Sequence, residues 1–85
     1  MKVKDLIEAL SSLDQDAEVI LAEDPEGNGY SPLSRVDSEA VYVPITQWHG
    51  EVYSTTWSAD DAGLTKREWR AIKAKPRCVV LEPLA

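Results

Sequence analysis

Asp24, Glu26 and Asn28 stand at alternate positions, and Gly29 and Tyr30 follow them, in the stretch Glu23-Asp24-Pro25-Glu26-Gly27-Asn28-Gly29-Tyr30-Ser31-Pro32-Leu33. Alternating oxygen donors closed by a glycine are what a calcium loop needs. In such a loop, carboxylates or amides fill the first, third and fifth places, glycine makes the sharp turn at the sixth, and a backbone carbonyl serves at the seventh. Counted from Asp24, the match runs that far and then fails. The twelfth place calls for a bidentate glutamate, and here it is Arg35, whose charge would repel the ion. The preceding Ala17–Ala22 run reads as a strand, whereas a calcium loop of this type lies between helices. The favoured reading is a hairpin connection, with Asn28-Gly29 supplying positive φ angles and Pro25 an early turn position.

Other reactive residues are sparse. His49 is the only histidine and Cys78 the only cysteine, and no pair of ligands has the spacing of a zinc site. Cys78 opens the apolar run Cys-Val-Val-Leu, where burial would raise its pKa and leave it inert. Gly27-Asn28-Gly29 opens no helix and so lacks the free amides of a phosphate cradle. Asp60-Asp61 is explained by a helix start, whose positive end favours carboxylates. A metal-dependent site around Asp24, Glu26 and Asp60 is the weakest reading weighed. No catalytic residue, metal or cofactor is expected, and the chain is read as a non-enzyme.

Two clusters stand above this background. Residues 66–77 hold Lys66, Arg67, Arg70, Lys73, Lys75 and Arg77 against Glu68, a net +5 in a chain whose formal charge is −6. A basic helix carrying Trp69 would suit a phosphate or an acidic partner. Lys66, Arg67, Arg70 and Lys73 are its candidate nucleic-acid contacts. The plainer reading is a solvated face with cations toward the negative helix end. The second cluster is Trp48-His49-Gly50-Glu51-Val52-Tyr53-Ser54-Thr55-Thr56-Trp57. Aromatic residues on a loop are the usual anchors of a protein interface, but a domain without Phe also recruits Trp and Tyr for its core.

The elements that must position these residues follow from periodicity. Val3, Leu6, Ile7, Leu10 and Leu13 recur at helical spacing and predict a helix over 4–12 with an apolar stripe for the core. Ala17–Ala22 predicts a strand. Residues 33–36 and 40–43 predict two more strands, with Pro32 at a strand start or edge and Pro44 ending pairing. Residues 46–58 fit a short hairpin or an ordered loop. Thr65 with Glu68 three residues on is a capping box, and Leu64 with Trp69 a hydrophobic staple. Ile72 continues that face, and Pro76 ends the helix at or before Lys75. Residues 78–81 read as a buried strand. The expected fold is α+β: one domain over residues 1–85, with a small sheet of three to five mostly antiparallel strands and two short helices packed on one face. The strand order is left open.

Composition sets the outer bounds. A chain of 85 residues buries only about 60–65% of its unfolded surface, so its core has little to spare. The acidic balance repels phosphate backbones, which argues against nucleic-acid binding by the whole molecule. A lone cysteine forms no internal disulfide and fits a reducing cytoplasm. No apolar run approaches the ~20 residues needed to cross a bilayer.

The pattern Val3-x-x-Leu6-Ile7-x-x-Leu10 leads through Leu13-Asp14-x-Asp16 into Glu18-Val19-x-Leu21, then Glu26-Gly27-Asn28 and Pro32-Leu33. This half of the chain resembles small uncharacterised bacteriophage and prophage proteins. The resemblance implies phage provenance, a place in the host cytoplasm and action by binding a host or phage protein. It implies no activity and no catalytic residue. The reading is therefore an acidic, non-enzymatic accessory protein acting through protein–protein interaction, one version being an inhibitor of a host process or defence system. The acidic Asp24 and Glu26 with the anchors Trp48, Tyr53 and Trp57 are its partner-binding residues, on a monomer or homodimer. The alternative is a nucleic-acid-associated module using residues 66–77.

Overall fold

The computed structural model describes residues 1–84. In chain order the elements are α1 (Val3–Ser11), β1 (Ile20–Ala22), β2 (Tyr30–Pro44), β3 (Gly50–Ser54), α2 (Ala59–Ala62), α3 (Lys66–Lys73) and β4 (Cys78–Pro83). The fold is α+β, with an open antiparallel sheet of four strands in which β2 pairs with β1, β3 and β4. The chain divides into two units, the first Met1–Arg35 with the chain from Leu81 onward, the second Val36–Val80.

In the first unit, β1 and the start of β2 form a hairpin in the register Ile20–Pro32, Leu21–Ser31 and Ala22–Tyr30. Pro32 has no N–H to give, but its carbonyl accepts from the Leu84 amide at 2.9 Å. Arg35 and Glu82 form an ion pair at 2.7 Å. The start of α1 is closed by Asp5, whose carboxylate accepts the Lys2 amide at 3.0 Å. Ser12 follows α1 as its C-cap. Asp14 then accepts the Asp16 amide at 3.0 Å, forming an Asx turn beyond the helix. No described side chain of this unit is fully buried.

The second unit holds the core. β2 and β3 pair from Ala40–Ser54 to Pro44–Gly50. Ala40 and Val41 are buried at 0% and 1% exposure, and Trp69 of α3 at 7%. Successive strand residues face opposite ways, so Val41 shares a face with its partner Tyr53, while Ala40 lies on the other face. Trp69 lies against Tyr53, which is how α3 is held to the sheet. Gly50 is required by space: a Cβ there would run into the Val43 carbonyl and the Pro44 backbone.

Four expectations change. Residues 33–36 and 40–43 belong to one continuous 15-residue strand. Between them, Asp37 accepts the Glu39 amide at 2.8 Å inside the strand. A third helix, α2, precedes the predicted second one; Ser58 caps it and Gly63 ends it at φ 72°. β4 is not a buried strand: it alternates, leaving Val79 and Leu81 exposed and Cys78 only partly covered. In the β1–β2 loop the positive φ belongs to Gly27, at 78°, not to Asn28 or Gly29.

Candidate functional site

The two units offer different surfaces. In the first, α1 turns its apolar stripe outward. Val3 is 55% exposed, Ile7 63%, Leu10 42% and Leu13 57%, and only Leu6 is partly covered. The spacing Val3, Leu6, Ile7, Leu10 is the i, i+3, i+4, i+7 set with which an amphipathic helix enters a partner's groove. The unit around it carries nine carboxylates and three cations, so the whole net charge of the chain lies here. The sequence announced the stripe but gave it to the core, because periodicity reports which residues share a face and not what covers them.

Asp24 and Glu26 lie in the β1–β2 loop of this unit. Asp24 Oδ1 accepts the Glu26 amide at 2.9 Å and the Asn28 amide at 3.3 Å, and Oδ2 accepts the Asn28 side-chain amide at 2.9 Å. These bonds, with the Asn28 side chain foremost, hold the Asp24 carboxyl below its ordinary value. Asp24 therefore organises a turn with its own lone pairs. Glu26 is exposed. Among the described residues, no group of three or more His, Cys, Asp or Glu gathers to hold a metal ion.

The aromatic anchors separate. Trp48 sits in the β2–β3 turn and is 84% exposed. That turn is tied by Thr46, whose Oγ1 accepts the Trp48 and His49 amides at 3.1 and 3.2 Å and lies 3.0 Å from His49 Nδ1. Tyr53 and Trp57 meet edge to face at 6.3 Å, and Tyr53 meets the buried Trp69 at 6.0 Å. Tyr53 thus belongs to the core cluster, and Trp57, 40% exposed, to its margin. Trp48 and Trp57 flank opposite ends of β3, about 17 Å of strand apart.

The basic segment is sorted by helix phase and by what each cation touches. Arg77 Nη1 donates to the Lys73 and Lys75 carbonyls at 3.0 and 3.2 Å, satisfying the end of α3. Lys66, Arg70 and Lys73 stand at i, i+4 and i+7 and line one cleft of about 380 Å³ with Ala59 of α2 and Trp69. Arg67 does not line it. Glu68, the one carboxylate of α3, is engaged at the helix start. Thr65 Oγ1 accepts the Glu68 amide at 3.1 Å, and Glu68 Oε1 accepts the Thr65 amide at 3.0 Å. A second cleft, of about 590 Å³, lies in the first unit between Leu21, Glu23, Tyr30, Leu81 and Pro83.

No described helix is long and apolar enough to cross a membrane. Comparison with protein-family models, with curated proteins and with solved structures finds no match to the chain.

Proposed function

We propose that this chain is a non-enzymatic interaction protein that docks on another protein through the first unit, with α1 as the inserted element. The observation that carries this reading is the exposed stripe Val3, Ile7, Leu10 and Leu13 in a unit with no fully buried side chain among its described residues. Large apolar side chains gathered on one face of a helix mark an interaction surface when none of the described residues covers them. The concentration of carboxylates in the same unit favours a partner whose groove has a basic rim. Trp48, exposed at a turn tip, is a further anchor in the second unit. The resemblance of the N-terminal half to small phage proteins supports a partner drawn from the phage or its host, and an inhibitory role there.

The test is a pull-down from host lysate with the wild-type chain and with an Ile7→Asp/Leu10→Asp variant, each at low and at high salt. A single stoichiometric protein retained by the wild type and lost by the variant supports docking through α1. The same protein retained equally by both would exclude α1 as the contact. Retention unchanged between the two salt conditions would remove the electrostatic part of the reading.

A further inference from the structure

We infer that the cleft of α3 bounded by Lys66, Arg70 and Lys73 is a phosphate-binding site, separate from the docking helix of the first unit. Three observations combine. First, the three cations occupy one helix face at i, i+4 and i+7 and line a single cleft with Ala59 and Trp69. Neighbours at these spacings repel one another, so convergence is unfavourable unless an anion is shared among them. Second, none of the three makes an ion pair with a described residue. The nearest carboxylate in sequence, Glu68, is committed to the Thr65 amide. The other cations of the segment are different: Arg77 is spent on helix-end carbonyls, and Arg67 and Lys75 lie outside the cleft. Third, the cleft has a firm floor. Trp69 is 7% exposed and packed on Tyr53, so the cations are presented from a fixed helix.

The charge chooses the ligand class. The second unit as a whole is balanced, with six cations and six carboxylates, yet three positive charges gather in this cleft. That concentration suits a phosphate group carrying more than one negative charge. The cleft volume of about 380 Å³ matches a small phosphorylated molecule. The guanidinium of Arg70 can grip two phosphate oxygens, and the two lysines act as point charges on either side. Phosphate is the shared chemistry of a free phosphorylated metabolite and of a nucleic-acid backbone, and the test separates these sources.

Inorganic pyrophosphate and a 12-nucleotide single-stranded DNA are titrated by calorimetry into the wild type, an Arg70→Glu/Lys73→Glu variant and an Arg67→Glu/Lys75→Glu control. All four positions are exposed, and circular dichroism checks that each variant keeps its fold. The expected result is pyrophosphate binding that weakens tenfold or more in the cleft variant and less than threefold in the control. DNA binding with the same variant dependence, falling steeply with salt, would assign the phosphate to a nucleic-acid backbone. Pyrophosphate binding without DNA binding would assign it to a free phosphorylated molecule. Absence of binding by both probes, or equal loss in the cleft variant and the control, would overturn the site. Each of these outcomes is independent of whether α1 docks a protein.

Discussion

The ring of Trp69 lies 6.0 Å from that of Tyr53, inclined at 59°, and this contact joins α3 to β3. Trp69 is one of three buried residues among those described and the largest of them, so truncating it removes a large share of the core. Trp69→Ala is expected to cost about 3–5 kcal/mol, as aromatic truncations in cores do. Trp48→Ala, at an exposed turn, should stay within about 0.5 kcal/mol of wild type. Urea denaturation followed by circular dichroism distinguishes them; equal midpoints for the two variants would show that the Tyr53–Trp69 contact does not anchor the helix.

Thr65→Ala removes the hydroxyl that accepts the Glu68 amide and should destabilise the chain by about 1 kcal/mol. For a domain of this size that lowers Tm by roughly 4–8 °C. Thr65→Ser keeps the acceptor and should recover most of the loss in a thermal melt.

Acid should weaken the fold through its caps. Hydrogen bonds from the Thr65 backbone and side chain hold Glu68 below its ordinary 4.5, and those from Ser58 hold Asp61 below its ordinary 3.8. A carboxyl with a lowered folded pKa binds fewer protons folded than unfolded. Its stabilisation is complete above the ordinary value and is lost as pH falls through the lowered one. Denaturation midpoints should therefore be flat from neutrality to about pH 5 and decline below it. Glu68→Gln should show a shallower decline; a slope identical to wild type would remove this cap from the account.

Gly50→Ala tests a close approach rather than a turn. The added methyl group would meet the Val43 carbonyl and the Pro44 backbone, neither of which is a flexible side-chain end. A loss of about 1–3 kcal/mol is expected, in line with overpacking elsewhere. A neutral outcome in chemical denaturation would mean that the β2–β3 end opens freely.

The outward stripe of α1 gives an opposite expectation. Ile7→Ser would be severe in a core helix, but Ile7 is 63% exposed and should tolerate the change within about 0.5 kcal/mol. A melt lowered by ten degrees would show that α1 is covered within the folded chain.

Local chemistry made α3 legible in the sequence, because the Thr65–Glu68 box needs nothing beyond residues three apart. Pro44 marked the end of β2 for an equally local reason. What escaped was set by non-local neighbours. Asp37-Ser38-Glu39 reads as a loop by composition, yet the pairings before and after it keep it in one strand. The stripe of α1 and the run Cys78–Leu81 are apolar by sequence, while their exposure depends on what packs against them. For the candidate sites, the basic cluster was visible as a charge run, but only helix phase separates Lys66, Arg70 and Lys73 from Arg67. Trp48 and Trp57 are close in sequence, but β3 stands between them.

Among its described residues, the first unit is held by hairpin bonds, the Arg35–Glu82 ion pair and half-covered side chains. Segments held in this way open far more often than the burial around Ala40 and Val41 permits in the second unit. Deuterium should enter the amides of α1 and β1 early, and trypsin should cut first after Lys4. On the docking proposed for α1, the lifetime of the chain in a cell would follow the time that helix spends occupied, with free copies cleared and bound copies persisting.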